Sequence, residues 1–236
     1  MKAPTIILPI IYQDNDYVVI DKPKSMLVHP VKDPHPNKDI AMKVIRDQLG
    51  QLVYTVHRLD RPTSGLLLFA LNVPAVQVMQ KMFENRLVQK KYIAIVVGKT
   101  KQQWTNDTAL IKPENGELKS ASTSFKLITY IKKGSFDFDP NLEVSVLEAS
   151  PHSGRFHQIR RHLAGEGTAI IGDYLHGNIE QNDLIAEHTN IKRMMLMANQ
   201  LEFTHPFTDK LISINLEMDE QFNYYKNLIL QPTKEV

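Results

Sequence analysis

The sequence predicts an α+β fold with a mixed, largely antiparallel sheet flanked by helices, and two observations support this. Short β-favouring runs follow one another along the chain, and several are joined by tight turns. Amphipathic segments of helical period lie between them, without internal repeats or low-complexity tracts. We expect residues 1–236 to form a single domain, with a division into two lobes as the alternative, and 231–236 to form a frayed tail.

Strands and helices alternate in the first half of the chain. Apolar, β-favouring runs predict strands at 6–12, 17–21, 52–56 and 66–71. One helix is expected from a cap at Asp39 to a stop at Gly50, and another begins at Pro74. The proline-rich segment 29–37 and the polar segment 57–65 are expected to be loops.

The second half contains more strands than helices. Strands are expected at 91–97, 123–131, 143–149, 169–171, 199–204 and 211–216, and a final helix at 219–230. Segments 99–116 and 172–182 are expected to be loops. A short helix is predicted over 155–164, with Phe156, Ile159 and Leu163 as its apolar stripe and Gly165 as a left-handed terminator.

Composition excludes several classes of protein. With 42% hydrophobic and 23% charged residues, the chain is an ordinary globular protein. It has no cysteine, which excludes disulfides, a thiolate nucleophile and cysteine-ligated metal sites. Its longest apolar runs are far shorter than the ~20 residues of a membrane helix, and no signal peptide is recognisable. We therefore expect a cytoplasmic protein, and a monomer.

The 57–65 loop places ionisable side chains between two apolar strands. Asp60 needs a nearby cation to stay charged at the edge of a core. In an extended segment Arg58 and Asp60 point to the same side, while Leu59 points into the core. A structural ion pair is one interpretation, and a hydrolase triad of His57, Asp60 and Ser64 is another, although the GxSxG elbow is absent. A carboxylate acting as nucleophile or base is the third.

The sequence of 57–71, HRLDRPTSGLLLFAL, closely resembles the catalytic motif of the RluA-type pseudouridine synthases. The similarity continues in order through YQDNDYVVIDKPKSMLVHP, QKKYIAIVVG, SGRFHQIRRHLA, IIGDYLHG and RMMLMANQLEFTHPFT. The proline after the second arginine, the doubled arginine of HQIRRHL and the absence of an added S4 domain are most similar to the tRNA pseudouridine synthase C subgroup. The resemblance implies the pseudouridine synthase fold with a central RNA-binding cleft, and a base-flipping isomerase without cofactor or metal.

The resemblance also implies roles for individual residues. Asp60 corresponds to the essential catalytic aspartate, and Arg58 to a residue that fills the space left by the flipped nucleotide. Tyr92 corresponds to a tyrosine that stacks on uracil and is the candidate base or relay for the C5 proton. Arg160 corresponds to the basic residue that pairs with the aspartate, and Leu196 to a leucine that packs against the tyrosine and the base.

Charge is distributed unevenly, although the net charge is only +2. Residues 149–165 contain no acid, and three arginines and three histidines lie among them: Arg155, Arg160, Arg161, His152, His157 and His162. We expect this basic patch, together with Arg61, to bind RNA phosphates. Successive histidines are five residues apart, so they do not lie on one face of a helix, as ligands of a single metal ion would. A second basic region comprises Lys81, Arg86, Lys90, Lys91, Lys99 and Lys101.

The expected substrate is transfer RNA, with ribosomal RNA, or both, as the alternative. A further alternative is an RNA-binding protein that has lost catalysis, because the family usually has histidine at the position of Met197. The hydrolase interpretation differs from both, since it makes Ser64 the essential residue.

Overall fold

A computed structural model describes residues 6–30 and 39–230 of the chain. Most of the expected loop at 29–37 and the expected tail at 231–236 lie outside these ranges. None of the described helices is long and apolar enough to cross a membrane. The elements in chain order are β1 (Ile10–Gln13), β2 (Tyr17–Lys22), α1 (Ala41–Leu49), β3 (Tyr54–Thr55), β4 (Ser64–Ala70), α2 (Val73–Glu84), β5 (Gln89–Val97), β6 (Gln103–Asn106), β7 (Leu110–Ile111), β8 (Leu118–Lys119), β9 (Thr123–Ile131), β10 (Val144–Pro151), α3 (Gln158–Gly165), α4 (Ile179–Thr189), β11 (Leu196–Thr204), β12 (Leu211–Asn215) and α5 (Glu220–Leu230).

The chain divides into two compact units. The first contains the described residues up to Lys90 together with Met197–Leu216. The second contains Lys91–Leu196 and the described residues that follow Leu216. Each unit has its own set of paired strands and is described by itself.

The sheet of the first unit is centred on β4. Strand β2 pairs antiparallel with β4 along one edge. On the other edge, β11 runs parallel to the start of β4 at Ser64 and Gly65, whereas β3 pairs antiparallel with its end at Phe69 and Ala70. Strands β1 and β12 pair with β2 and β11. All seven residues of β4 are buried, which explains its almost continuous apolar sequence.

Helix α2 packs on this sheet. Its first turn is capped by the Asn72 side chain, which accepts a hydrogen bond from the Ala75 N–H at 2.9 Å. Pro74 lies in the same turn, where its missing N–H has no cost. Ala75, Met79 and Met82 are buried and join side chains of β2, β4 and β11 in one apolar core. Phe83 of the same helix packs against this core and stacks on His57 of the 57–65 loop.

The second unit contains a fully antiparallel set of strands in the order β5, β10, β9, β6. Strands β7 and β8 form a separate two-stranded hairpin. Helix α3 packs against β9 and β10 and buries Ile159 and Leu163. The short helix and its preceding segment are thereby fixed to a rigid sheet.

The predicted boundaries fail where local signals are weak. Strands β6 and β7 lie in 99–116 and α4 begins in 172–182, both expected to be loops. Helix α4 also buries Asn182, so its apolar periodicity is poor. The strand expected at 169–171 is reduced to an isolated bridge between Ile170 and Val96.

Three predicted helix ends are wrong and one is confirmed. Helix α1 begins after Ile40, without a side-chain cap from Asp39, and ends as predicted at Gly50, whose φ is 66°. Helix α3 begins at Gln158 rather than at residue 155. Gly165 lies inside that helix, and the positive φ of 77° belongs to Gly167.

Candidate active site

The 57–65 loop leads from β3 into β4 in the first unit, and its last two residues, Ser64 and Gly65, are the first two residues of β4. Leu59 is buried, as the alternation predicts, whereas Arg58 is exposed and Asp60 is partly buried. Directly after the aspartate the chain turns back, with the Thr63 N–H donating to the Asp60 carbonyl at 3.1 Å. Asp60 therefore stands at the first corner of a tight turn.

His57 fastens the start of this loop to the sheet. In the part of the chain that the structure describes, no strand pairs with this edge of β4 between its contacts with β11 and its contacts with β3. The Leu68 N–H lies in this interval and donates to Nε2 of His57 at 3.0 Å. The imidazole stacks on Phe83 of α2, with ring centroids 4.8 Å apart. Burial and the positive charge of Lys90 lower the pKa of His57 to about 3. The ring is therefore neutral at physiological pH and acts as an acceptor.

Lys22 holds the chain on the other side of Asp60. This lysine is fully buried at the end of β2. Its ammonium donates to the backbone carbonyls of Pro23 at 2.9 Å, Met26 at 3.0 Å and Arg61 at 3.3 Å. Lys22 is not among the predicted site residues, although a lysine that directly continues a buried strand is an unusual pattern.

Gly65 lets β4 and β11 approach closely. Its φ is +104°, and a Cβ atom there would lie 2.2 Å from the carbonyl oxygen of Ala198. A side chain at position 65 would collide with the backbone of β11, so close packing of the two strands requires glycine here. Met197, next to Ala198, is buried and pairs in register with Ser64.

Arg160 and Asp173 form a buried ion pair in the second unit. Nε and Nη2 of Arg160 each lie 2.8 Å from a carboxylate oxygen of Asp173, in a fork geometry. Burial alone raises the pKa of Asp173, but the Arg160 guanidinium and the His176 N–H outweigh it and hold the pKa below its usual value. Asp173 is not among the predicted site residues, because no local pattern shows that its carboxylate pairs with Arg160, 13 residues before it.

Arg155 and Arg161 flank this pair and are anchored to the backbone. Nε of Arg155 donates to the Ser120 carbonyl at 3.0 Å, and Nη1 of Arg161 donates to the Ile111 carbonyl at 2.9 Å. In the described part of the chain, their other guanidinium N–H groups have no protein acceptor. Both arginines keep donors for an anionic ligand.

His162 does not belong to the expected basic patch. It is buried and hydrogen-bonds to Thr123 and to the Thr108 carbonyl, at 3.0 Å in each case. Burial lowers the pKa of His162 and so keeps the ring neutral. The surface patch is therefore smaller than the sequence predicts.

Tyr92 and Leu196 are both buried strand residues. Tyr92 lies in β5, in register with Ala149 of β10. Leu196 is the first residue of β11. The structure thus places Arg58, Asp60 and Arg61 on one loop of the first unit, and Tyr92, Leu196 and the three arginines of the basic segment in the second.

The second basic region is not a uniform row of free cations. Nζ of Lys90 lies 5.5 Å from the Phe83 ring centroid, and Nζ of Lys99 lies 5.4 Å from that of Tyr130. Lys91 is paired with Glu148 at 3.2 Å. These contacts already occupy three of the six cations.

Within the described residues, one group has the composition of a metal site: Asp14, Asp16 and His205. His205 Nε2 lies 3.1 Å from the Asp14 carboxylate, and His205 Nδ1 accepts a hydrogen bond from the Phe207 N–H at 3.2 Å. Since Nδ1 accepts, Nε2 carries the proton and donates to Asp14. These three residues therefore form a hydrogen-bonded cluster at the β1–β2 turn.

The family model of RNA pseudouridylate synthases matches residues 16–165 of this chain, a range that contains the 57–65 loop, Tyr92 and the basic segment. The chain belongs to this family. The predictions of an RNA pseudouridine synthase and of an isomerase are thereby confirmed.

Relatives support the assignment over nearly the full length. The chain is 36% identical to tRNA pseudouridine synthase C of Pasteurella multocida over 226 residues, which are 91% of this chain and 93% of the relative. It is 37% identical to the Salmonella typhimurium protein of that name over 227 residues, covering 90% and 86%. The Vibrio cholerae protein is 34% identical over 244 residues, covering 94% and 99%. The predicted similarity to this subgroup is confirmed.

Two solved structures show the same fold. Human RNA Pseudouridylate Synthase Domain Containing 1 matches with a TM-score of 0.71 at 20% identity, covering 100% of both chains. Human RNA Pseudouridylate Synthase Domain Containing 4 matches with a TM-score of 0.72 at 20% identity, covering 96% of this chain and 95% of the other. The predicted pseudouridine synthase fold is confirmed.

The RNA pseudouridylate synthase assignment leaves no role for a serine hydrolase triad. A triad needs a histidine nitrogen that accepts the serine proton. Nε2 of His57 already accepts the Leu68 N–H, and Nδ1 of a neutral ring with an accepting Nε2 carries a proton. His57 is therefore a fastening residue of the loop rather than a base for Ser64.

Proposed function

We propose that this chain isomerises a uridine of transfer RNA to pseudouridine, with Asp60 as its catalytic residue. The single observation that carries the proposal is the placement of Asp60 in HRLD, at the corner of a turn fastened by His57 and Lys22. The relatives named tRNA pseudouridine synthase C support transfer RNA as the substrate class. Such a substrate places the enzyme in the cytoplasm.

The reaction is an isomerisation with no external reactant. The bond between C1′ and N1 breaks, the uracil turns, and a bond between C1′ and C5 forms. The C5 proton is lost and N1 gains one, so atoms and electrons balance without redox chemistry. Asp60 acts either by adding to the uracil ring or by assisting departure from C1′. A carboxylate held by a rigid turn suits both roles, because its position does not have to be found during the reaction.

The target base has to leave its stack before it reaches the carboxylate. We assign Arg58 to the space that it vacates. Arg58 is exposed and, in the described part of the chain, has no hydrogen bond or ion pair of its own. Its planar guanidinium can stack on neighbouring bases. We assign Tyr92 to stacking on the uracil and to relay of the C5 proton, and Leu196 to packing against both.

Cations complete the proposed site. We assign Arg160 to keeping Asp60 ionised, and the Asp173 fork fixes the orientation of its guanidinium. Arg155 and Arg161 donate to RNA phosphates through the N–H groups that the backbone carbonyls leave unused. Arg61, exposed beside Asp60, is the corresponding contact on the loop.

The substrate class is tested by incubating the purified protein with unmodified transfer RNA and, separately, with unmodified ribosomal RNA, and then mapping pseudouridines in both. We expect modification of one uridine position in transfer RNA. Modification of ribosomal RNA alone contradicts the substrate assignment but keeps the activity. Tight binding of both RNAs without any pseudouridine formation favours the RNA-binding protein that has lost catalysis.

A further inference from the structure

Phe156 is the feature of the basic segment that the proposed function leaves unexplained. The sequence predicts it in the apolar stripe of a helix, but α3 begins two residues later and the side chain is 43% exposed. A large apolar ring is thus kept at the surface, beside the exposed Arg155. It lies in a run of residues, 149–165, that contains no acidic side chain.

The ring is held in a fixed orientation by its neighbour. Phe156 and His157 are stacked, with centroids 3.6 Å apart and planes inclined by 20°. His157 has a left-handed backbone, φ 52° and ψ 34°, which few non-glycine residues adopt. Because His157 covers one face of the phenyl ring, the exposed area belongs to the other face and the edges. The left-handed residue lies directly between the exposed ring and the first residue of α3.

The stack is tied to the buried ion pair of the second unit. Nδ1 of His157 hydrogen-bonds to Nε2 of His176 at 2.9 Å. The backbone N–H of His176 donates to Oδ1 of Asp173 at 3.2 Å, and Asp173 holds Arg160. A continuous set of contacts therefore runs from the buried guanidinium to the exposed phenyl ring. The ring is preorganised rather than loosely attached.

We propose that Phe156, backed by His157, is a stacking platform for an unstacked base of the RNA substrate. This rests on the proposed function and adds a contact to it. Aromatic rings that bind single-stranded bases combine an open ring face with cations that hold the phosphates. Phe156 has the open face, and Arg155 next to it has unused guanidinium donors. A protein partner is a weaker match, since an acid-free arginine- and histidine-rich segment complements a polyanion.

Phe207 provides a matched control in the first unit. It is also exposed, by 48%, and also contacts a histidine, with its ring centroid 5.9 Å from that of His205. Its surroundings are acidic, because His205 is bonded to Asp14. An exposed phenylalanine beside a histidine is thus present in both units, but only one of them is in a basic segment.

The test is the affinity for unmodified transfer RNA, measured at several salt concentrations. We expect Phe156→Ala and Phe156→Leu to raise the Kd about tenfold, and Phe156→Trp to keep it within twofold, because only aromatic rings stack. The salt slope of log Kd stays unchanged in these variants, whereas Arg155→Ala makes it shallower by about one phosphate. Phe207→Ala leaves both quantities unchanged.

Two results overturn the proposal: Phe156→Ala binding as tightly as the unaltered protein, or Phe156→Leu retaining full affinity, which indicates a merely apolar contact. Thermal unfolding of each variant shows that the fold is intact, as expected for an exposed side chain. If the unaltered protein binds transfer RNA and forms pseudouridine, a failure at Phe156 concerns the platform alone. If the unaltered protein forms no pseudouridine in any RNA, the proposed function fails first.

Discussion

The 57–65 loop and the segment 152–161 are held in place by contacts of opposite kinds. Two hydrogen bonds hold the loop on the first unit: His57 accepts an N–H of β4, and the buried Lys22 donates to the Arg61 carbonyl. In the segment, Arg155 and Arg161 use one donor each on a backbone carbonyl and keep the rest. From this difference we infer that the first region fixes the Asp60 carboxylate and that the second presents cations to a partner. Changes in the loop should therefore affect the rate, and changes in the segment the affinity.

His57 offers the stronger way to break this comparison. We expect His57→Phe to lower kcat by about 10- to 100-fold with an unchanged Kd for RNA, because the Leu68 N–H loses its acceptor and the turn at Asp60 loosens. His57→Gln, whose amide oxygen still accepts, should recover much of the loss. Single-turnover kinetics and RNA binding separate the two effects. An unchanged kcat in His57→Phe, whether or not the Kd for RNA rises, contradicts the fastening role.

The same variants have a pH signature in stability. The pKa of His57 is lowered from its ordinary value near 6.5 to about 3 in the folded protein. Between pH 6.5 and pH 3 this imidazole therefore takes up a proton in the unfolded chain but not in the folded one. Stability from this group is complete above pH 6.5 and falls as the pH drops through that window. We expect the decline from pH 7 to pH 5 in denaturant unfolding to be shallower in His57→Gln. An equally steep decline contradicts the neutral imidazole.

Arg161 sharpens the other half of the comparison with a smaller effect. We expect Arg161→Ala to weaken transfer RNA binding about fivefold and to reduce the salt slope by about 0.7 to 0.9, the value of one phosphate contact. The kcat at saturating RNA should stay the same. Lys210→Ala, which removes an exposed cation in the first unit, is the control. A fall in kcat with an unchanged slope places Arg161 in the chemistry and contradicts the division of roles.

The elements that the sequence predicts well are those with a strong apolar pattern. Strand β9 has its predicted bounds, 123–131, and β4 starts two residues before its predicted start and ends one residue before its predicted end. Strands β7 and β8 have two residues each, too few for any period to be visible. Helix α4 buries the polar Asn182 together with Ile185 and Ala186, so its apolar period is weak.

The site divides in the same way between what local sequence shows and what only the fold shows. Asp60 is proposed from the sequence alone, because its ionisable loop interrupts two apolar strands and its motif is specific. Asp173 pairs with Arg160, 13 residues before it, and Lys22 reaches the carbonyl of Arg61, 39 residues after it, and no local pattern reveals either pairing. Phe156 is misplaced by its periodicity, because the left-handed backbone of His157 delays the helix, and a histidine in the sequence does not signal that conformation.

The central claim is that the carboxylate of Asp60 carries out an isomerisation of uridine in RNA. The direct measurement is the release of tritium from C5-tritiated uridine in unmodified transfer RNA, with Asp60→Asn compared with the unaltered protein. Asp47→Asn, a change of an exposed carboxylate on α1, is the control. We expect release by the unaltered protein and by the control, and a loss of at least about 1000-fold in Asp60→Asn, since the amide is neither nucleophile nor base. Full activity of Asp60→Asn, or no release by the unaltered protein, contradicts the claim.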